Sequence, residues 1–422
     1  MNTIDEVVKY IKENWELTIR DKNNSVDKGL MMIKKPYTVP CPTGWFRTFY
    51  YWDTYFANLG LLLSGRVEQA ENNLDAMKDF IDFLGYVPNG SNIINRTQPP
   101  LFTRGVYNLW KFKKDDSVIE KYIDFILKEL KFFRMDRTTS CGLSAFSNMA
   151  TKTYLDKFYD DILDRLELED DDKELKRDRL EASSDFLSIA ESGWDFNIRF
   201  QTEASMFKAS DFAHLDLNCL LYDAERKAAE MLEKVGRTEE AQTLYEQAEN
   251  RKALMDKYML DKETGIYYDY NFKNGTFSKV LSAASLYVYD VGISDNKEAA
   301  KKVIEQLELP FGLSVCPFRG DDKYYQWDYP NMWPSNVFFG VCGLQKIGLE
   351  EDAKRLAEKY TFTVQKSFAT TGQLWEKYDA IKGEISVCLE YETPPMLGWT
   401  AGVYMFLKQC FEKDAEIPVE TV

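Results

Sequence analysis

The stretch AAEMLEKVGRTEEAQTLYEQAENRKALMDKYM, residues 228–259, reads as two amphipathic helices joined by a short break around Gly236. Its apolar residues recur every three or four positions, which is the spacing of one buried helix face. Such a pair is typical of one repeat of a helical solenoid, but nothing similar recurs at a period of about 34 residues. The pair therefore favours an architecture in which unlike helix pairs pack around a common centre.

Helical periodicity continues in both directions from this pair, in segments joined by short loops. The predicted helices span residues 53–64, 67–85, 99–112, 116–134, 210–236, 238–260, 278–291, 297–307, 335–348, 350–367 and 395–411. Strand signals are few, the best being GIYYDYNF at residues 265–272, and no linker rich in Pro, Gly or Ser divides the chain. We expect a single all-α domain over residues 1–422, a closed double ring of paired helices with its functional residues on the loops at one end.

The composition of the chain excludes several classes of partner. The 422 residues carry a net charge of −16 and no basic patch, so we expect no nucleic-acid binding. Apolar runs such as LGLLL are too short to cross a membrane, and the N-terminal residues lack the continuous apolar stretch of a signal peptide. The seven cysteines are scattered and never form a C-x-x-C pair. This usage favours a reducing compartment, and we expect a cytoplasmic protein.

A single histidine limits the chemistry that the chain can perform. His214 lies within an apolar helical pattern, which favours a packing role, and any histidine-based triad or zinc site would depend on it alone. Neither G-x-G-x-x-G opening a helix after a strand nor the phosphate-binding G-x-x-x-x-G-K-[ST] occurs. We therefore expect no metal and no cofactor, and acid–base chemistry carried mainly by carboxylates.

The loops combine aromatic residues with carboxylates, amides and arginine. In FRTFYYWDTYF, residues 46–56, seven of eleven residues are aromatic, and similar mixtures occur in YVPNGSNIINRTQPP, ESGWDFNIRF, YYQWDYPNMWP and QLWEKYD. Aromatic rings stack on the apolar faces of sugars, while Asp, Asn, Gln and Arg bind sugar hydroxyls. Five such segments in one chain predict the walls of one shared pocket for a small carbohydrate.

These same segments resemble the signatures of the trehalases, a family of inverting glycoside hydrolases with an (α/α)6 barrel. CPTGWFRTFYYWDTYF is similar to the family's P-G-G-R-F-x-E-x-Y-x-W-D-S-Y-F, and QWDYPNMWP is similar to its Q-W-D-x-P-x-G-W-x-P. GYVPNGSNIINRTQPP, ESGWDF, EKYD and EYETPPMLGWTAGV follow the remaining family motifs, in family order, from about residue 36 to residue 404. The resemblance implies an inverting α-glycosidase acting on a small α-glucoside or disaccharide.

The resemblance also assigns roles to individual residues. It implies that Asp195 is the general acid and Glu376 the general base of a two-carboxylate mechanism, in which the carboxyl groups stand about 6.5–9.5 Å apart. The apolar neighbours of Asp195 favour its protonated form, and Lys377 beside Glu376 favours the ionised form that a base requires. The substrate-binding residues implied are Phe46, Trp52, Asp53, Asn89, Arg96, Gln98, Trp194, Gln326, Trp327, Asp328, Glu390 and Trp399.

The sequence departs from the family pattern at two arginines. Trp45 and Ala150 stand where the family has pocket arginines, and Lys152 stands in place of a family glutamate and returns a cation if it points inward. Arg47 is expected to pair with a carboxylate behind the pocket wall. Trehalose is therefore one possible substrate beside glucosylglycerate, mannosylglycerate or an α-linked oligosaccharide. The alternatives of another class are a phosphorylase, which would need a basic phosphate site near Glu376, and a carbohydrate-binding ring without catalysis.

Overall fold

The structure, a computed structural model, describes residues 3–21, 23, 33–166, 176–320, 324–387 and 390–411, and these residues form two concentric rings of helices. The inner ring consists of α2 (Tyr51–Leu63), α4 (Phe102–Lys113), α8 (Leu215–Lys234), α10 (Tyr287–Asp290), α12 (Pro334–Lys346) and α14 (Gly398–Gln409). The outer ring consists of α1 (Thr3–Asn14), α3 (Val67–Leu84), α5 (Ser117–Asp136), α9 (Thr238–Tyr258), α11 (Lys297–Leu307) and α13 (Glu350–Thr371). Each inner helix contacts the next one around the circle, and α14 returns to α2. The prediction of a closed (α/α)6 barrel is confirmed.

The two rings differ in sequence for a physical reason. An inner helix is surrounded by protein, so α2 is buried at nearly every position and reads as almost continuously apolar. An outer helix faces water on one side, and α11 accordingly buries only a stripe of Ala, Val, Ile and Leu while its Lys and Glu residues stay outside.

Two glycines close the ring between its first and last inner helices. A Cβ atom at Gly402 of α14 would lie 1.8 Å from the carbonyl oxygen of Phe56 in α2, and one at Gly60 would lie 2.9 Å from the Cα atom of Gly402. Only glycine permits two helix backbones to approach this closely. The closure of the barrel therefore depends on residues without side chains.

A further helix pair lies outside the two rings and was not predicted. It consists of α6 (Lys152–Leu166) and α7 (Arg179–Ser192), which pack against each other in a small second core containing Ile162 and Phe186. Helix α7 ends at Gly193, whose φ of +78° favours glycine. The chain then turns directly into Trp194 and Asp195, so this pair positions the predicted general acid.

The described strands are short and belong to loops. They are β1 (Ile19–Arg20), β2 (Tyr37–Thr38), β3 (Phe212–Ala213), β4 (Tyr270–Asn271), β5 (Thr276–Phe277), β6 (Glu308–Leu309), β7 (Gly312–Leu313), β8 (Asn331–Met332), β9 (Tyr378–Asp379) and β10 (Glu384–Ile385), all in antiparallel pairs. The strand predicted in GIYYDYNF is confirmed by β4, which pairs with β3 and β5.

The helix predicted over residues 278–291 is wrong in its first half. Helical backbone begins only at a 3-10 turn, Ala283–Leu286, which leads into α10. The amide of Ser278 donates to the carbonyl of Asp269, and that of Ala283 donates to Val315. These long-range hydrogen bonds replace the local ones that a helix would make. Within the described part of the chain, no helix is both long and apolar enough to cross a membrane.

Candidate active site

A cavity of about 1000 Å³ opens where the inner helices α2, α12 and α14 begin. Twelve of the fourteen predicted site residues line it: Phe46, Trp52, Asp53, Asn89, Arg96, Gln98, Asp195, Gln326, Trp327, Glu376, Glu390 and Trp399. They come from segments up to 353 residues apart (46 to 399) in the chain. The structure thus brings together the loops that the sequence predicted to share one pocket.

Tryptophans form the floor of the cavity. Trp327 stacks on Trp333 with ring centroids 3.8 Å apart, and it lies 5.7 Å from Trp52 and 5.5 Å from Trp194. Trp399 meets three of these rings edge to face. Rings packed in this way have fixed orientations, so they present a rigid apolar surface to a ligand.

Two predicted substrate-binding residues lie behind this floor. Trp194 is fully buried against Trp327 and does not reach the cavity surface. Asp328 is also buried, where its carboxylate accepts hydrogen bonds from the backbone amides of Ile198 and Tyr325. Burial raises the pKa of Asp328 to about 6, although the nearby guanidinium of Arg319 lowers it. Both residues support the wall of the cavity and form no part of its surface.

The predicted base Glu376 is held at both carboxylate oxygens. Its Oε2 accepts from the ammonium of Lys377 at 2.6 Å, and its Oε1 accepts from the hydroxyl of Tyr391 at 2.7 Å. The Lys377 side chain is fully buried, and burial together with the charge of Glu376 raises the pKa of Tyr391 well above its usual value. Tyr391 is therefore a proton donor to Glu376 at any ordinary pH. This arrangement fixes the direction in which the carboxylate points.

The predicted acid Asp195 lies against an arginine that the sequence did not single out. Arg165, near the end of α6, donates from Nη1 to Asp195 Oδ2 and from Nη2 to the Asp195 carbonyl oxygen, both at 2.9 Å. Its guanidinium lies 4.9 Å from the ring of Phe196 and 5.6 Å from that of Tyr391. Arg165 thus contacts both the side chain and the backbone of Asp195.

Arg165 also belongs to a closed cycle of hydrogen bonds. Its Nε donates to Glu390 Oε2 at 3.2 Å, and Glu390 Oε1 accepts from the backbone amide of Gln326 at 2.8 Å. The Gln326 side chain donates in turn to the Asp195 carbonyl oxygen, which completes the cycle. Burial raises the pKa of Glu390 to about 7, although Arg165 lowers it. The cycle ties together three loops that lie far apart in the sequence.

Among the carboxylates that line the cavity, Asp53 has a pKa that is raised further than that of Glu390. It lies in the first turn of α2, where the helix N-terminus favours an anion. Burial nevertheless raises the pKa of Asp53 to about 8, and the charge of nearby Glu376 adds to the rise. With its pKa at about 8, Asp53 is mostly neutral near pH 7.

This shift predicts how Asp53 affects stability. In the unfolded chain an aspartate ionises near pH 4, whereas in the folded protein Asp53 ionises near pH 8. Between these values unfolding releases a proton, so the Asp53 contribution to the free energy of unfolding falls as the pH rises. We expect the free energy of unfolding of Asp53→Asn, relative to that of the wild type, to rise by on the order of 1 kcal/mol or more between pH 5 and pH 8.

Thermal unfolding of both proteins without ligand, at pH 5 and pH 8, measures this gain. Asp161→Asn is the matched control, because Asp161 also lines the cavity but is exposed. If the stability difference between Asp53→Asn and the wild type were the same at both pH values, the prediction would be contradicted.

The remaining polar residues of the inner cavity are held by backbone and neighbouring side-chain contacts. Gln98 accepts from the backbone amide of Trp52, and Asn89 donates to the carbonyl of Ala190. Arg96 is buried and donates from Nη1 to Asn95, while its Nε has no partner within the described part of the chain. Because Arg96 also lines the cavity, its guanidinium is suited to donate to a ligand rich in hydroxyl oxygens.

The departures from the family pattern have different outcomes. Lys152 is exposed at the start of α6 and does not line the cavity, so the condition for it to return a cation is not met; Arg165 lines the cavity instead. Arg47 is exposed, and among the described residues it forms no ion pair, so the pairing expected for it is wrong. Trp45 is also exposed, and it lines the rim of the cavity. His214 is buried, accepts from the amide of Phe146 and lies outside the cavity, as its predicted packing role requires.

A closed double ring of helices, with several carboxylates and tryptophans lining one cavity, is typical of an enzyme of the glycoside hydrolase class. The model of the Trehalase family matches residues 1–411, and the chain belongs to this family. A periplasmic trehalase from Xanthomonas campestris pv. campestris (strain 8004) is 30% identical, over 94% of this chain and 72% of that protein. A periplasmic trehalase from Xanthomonas oryzae pv. oryzae (strain MAFF 311018) is 29% identical with the same coverage.

Solved structures of related fold support the architecture. Neutral trehalase Nth1 from Saccharomyces cerevisiae superposes with a TM-score of 0.71 at 22% identity, covering 96% of this chain and 80% of that chain. A GH63 mannosylglycerate hydrolase from Thermus thermophilus superposes with a TM-score of 0.63 at 15% identity, covering 96% of this chain and all of that one, 100%. At these identities the likeness shows the fold alone.

The expectation of a cytoplasmic protein is contradicted by the relatives, which are named periplasmic trehalases. The error lies in the argument from cysteines. Six cysteines in the described residues are free, and five of them are buried. Burial raises the pKa of Cys219 and of Cys342 well above the usual value, so little reactive thiolate forms. Buried thiols of this kind are compatible with an oxidising compartment as well as with a reducing one.

Proposed function

We propose that this trehalase-family hydrolase cleaves α,α-trehalose and related small α-glucosides, with Asp195 as general acid and Glu376 as general base. The observation that carries the proposal is the cavity itself, in which both carboxylates line one space above a tryptophan floor. Inversion requires two carboxyl groups on opposite sides of the scissile bond, with room for one water molecule beside the base. The names of the curated relatives support trehalose as a substrate.

The contacts of Glu376 suit the role of base. Lys377 and Tyr391 each donate to one oxygen of this carboxylate, so its negative charge is stabilised and each oxygen retains a lone pair for a water molecule. The base would take a proton from that water as the water attacks the anomeric carbon. Asp195 would give its proton to the departing oxygen, which leaves as a hydroxyl group.

We further propose that Arg165 is a positioning residue for Asp195. Its donors to Asp195 and Glu390 leave it little capacity to bind sugar directly. The guanidinium instead holds the acid in place through the cycle with Glu390 and Gln326. For proton transfer Asp195 must carry a proton, and Oδ1 would hold it because Oδ2 accepts from Arg165.

The hydroxyl contacts of the glucosyl group would come from the buried part of the cavity. Asp53, neutral near pH 7, can both donate and accept, while Arg96 supplies donors and Gln98 and Asn89 supply amides. Trp52, Trp327 and Trp399 would stack against the ring faces. We also propose a periplasmic location, from the names of the relatives. We further propose one catalytic domain, since the main hydrophobic core includes residues from Val7 to Cys410 and the small second core of α6 and α7 supplies Arg165 to the same cavity.

A substrate panel tests this function. It consists of trehalose, kojibiose, nigerose, maltose, isomaltose, glucosylglycerate and mannosylglycerate, scored for released sugar. We expect cleavage of trehalose and of at least one other α-glucoside. We expect the preference for trehalose to stay below about tenfold in kcat/KM, roughly 1.4 kcal/mol, because Trp45 offers an apolar face where the family pattern has arginine.

The configuration of the first product, followed by NMR, tests the mechanism in the same experiment. An α-glucoside should release β-glucose before mutarotation. Trehalose should give equal amounts of β-glucose, from the inverted centre, and α-glucose, from the leaving unit. Release of α-glucose without β-glucose would exclude inversion, and a wild-type enzyme that cleaves none of the glucosides would overturn the proposed function.

A further inference from the structure

The cavity has two parts of different character. Its buried inner part contains Asp53, Asn89, Arg96, Gln98 and Glu376, all polar or charged. Its outer part, the rim, consists of Trp45, Phe46, Tyr50 and Ile93, all aromatic or apolar, beside the exposed Asn92 and Asp161. The inner part can therefore recognise hydroxyl groups individually, whereas the rim mainly offers apolar faces.

Trp45 is the most exposed large residue of the rim. Its side chain is 81% exposed, which is unusual for a tryptophan. The loop that carries it is nevertheless held by backbone hydrogen bonds from Cys41 to the Phe46 carbonyl and from Arg47 to the Trp45 carbonyl, both 3.0 Å long. Gly44, with φ of +81°, allows the turn before it. The ring is thus presented to solvent by an ordered turn anchored on the buried Cys41.

A row of rings connects the rim to the base. Phe46 lies 5.4 Å from Tyr50 and 6.2 Å from Tyr391, and Tyr391 donates to Glu376. Lys377 and Arg165 lie 4.4 and 5.6 Å from the ring of Tyr391. Both cations are already paired, Lys377 with Glu376 and Arg165 with Asp195 and Glu390. The whole cavity, about 1000 Å³, is at the upper end of the range for small-molecule sites, about 300–1,000 Å³. It has room for a leaving group beyond the glucosyl unit.

We propose that the rim is a binding site for the leaving group and that Trp45 stacks on a ring of it. This inference rests on the proposed function and names its substrate class. The enzyme takes α-glucosides whose leaving group is itself a ring, such as a second pyranose, in preference to those with an open-chain leaving group such as glycerol or glycerate. Stacking needs an apolar face and few specific hydroxyls, so the rim distinguishes ring from chain more strongly than one sugar from another.

Trp45→Ala tests the proposal, with Trp45→Phe retaining an aromatic face. Phe318→Ala is the matched control, because Phe318 is exposed, 64%, but lies outside the cavity lining. We expect Trp45→Ala to lower kcat/KM for trehalose and maltose about tenfold, mostly through KM, from the loss of buried apolar area. Methyl α-glucoside and glucosylglycerol should be almost unaffected, and Trp45→Phe should recover most of the loss.

The outcome separates this inference from the proposed function. If Trp45→Ala leaves kcat/KM for trehalose and maltose unchanged, or lowers kcat/KM equally for all four substrates, the stacking role of Trp45 is wrong. Hydrolysis by Asp195 and Glu376 is unaffected by either result. If the wild type cleaves none of the four, the proposed function fails. Calorimetric affinities of the same compounds for wild type and Trp45→Ala then decide the role of Trp45, and equal affinities would overturn it.

Discussion

Asp195→Asn and Glu376→Gln should each abolish hydrolysis of a natural α-glucoside. The first substitution removes the proton that the leaving oxygen needs, and the second removes the group that activates water. General acid–base groups contribute about 10²–10⁴-fold each, so we expect kcat below about a hundredth of the wild-type value. Turnover should be measured on trehalose or the best substrate of the panel, since an activated leaving group needs little help from an acid. A variant that kept more than about a tenth of wild-type turnover would contradict its assignment.

The surroundings of Glu376 call for a stability control. Lys377 is fully buried against this carboxylate, so Glu376→Gln leaves a buried cation without its partner. Breaking a buried ion pair in this way costs about 3–5 kcal/mol. The double variant Glu376→Gln/Lys377→Met removes both charges and should unfold closer to the wild-type temperature, yet remain inactive. Asp161→Asn, a change to an exposed carboxylate in the same cavity, should keep most of the activity.

Arg165→Ala should cause the second largest loss, about 10²-fold or more in kcat for trehalose, if Arg165 acts through the general acid. Without the guanidinium, Asp195 loses the donor to Oδ2 and one of the two donors to its carbonyl oxygen, the other being Gln326. The pKa of Glu390 should also rise further above about 7, because Arg165 is the cation that lowers it. A neutral Glu390 accepts the amide of Gln326 less strongly, so the cycle that holds the acid loosens. Arg165→Lys keeps the charge but cannot make the paired contacts, so its kcat should lie between those of the wild type and Arg165→Ala.

α-Glucosyl fluoride distinguishes this role from a merely structural one. Fluoride departs with little protonation, so a variant defective only in its general acid should cleave it almost as fast as the wild type. We expect this for both Arg165→Ala and Asp195→Asn, whereas Glu376→Gln should remain inactive on it. Equal losses of Arg165→Ala on trehalose and on α-glucosyl fluoride would show that Arg165 binds the sugar or supports the fold, and the positioning role would be wrong.

The sequence predicted the cavity well where the motifs themselves line it. Trp52 and Asp53 follow each other at the start of α2, so helix geometry places both at the same end of the ring. Glu376 and Lys377 are adjacent, and the predicted cation beside the base is observed at 2.6 Å. In each case the relevant contact lies within a few residues in the chain, where local sequence is informative.

The sequence prediction was wrong where neighbours in the chain were assumed to line the same surface. Trp194 and Asp328 each neighbour a residue of the cavity, Asp195 and Trp327, but point into the supporting wall. Successive side chains of a loop or turn point in different directions, so a motif cannot show which of its members face the ligand. The fit of Gly193 against Trp52, where a Cβ atom would lie 2.8 Å from the indole, is likewise visible only once the loops are packed.

The sequence by itself determined the helical ring and the carbohydrate pocket, because these depend on apolar periodicity and on local groups of aromatic and acidic residues. The reaction class followed from the resemblance of its motifs to those of the trehalases. Only the tertiary structure decided that Arg165 contacts Asp195, that Trp45 stands exposed at the rim and that burial raises the pKa of Asp53 to about 8. Arg165 lies in an unpredicted helix, 30 residues from Asp195 and 225 from Glu390 in the chain. Contacts and burial of this kind arise from the packing of distant segments, and no local pattern encodes them.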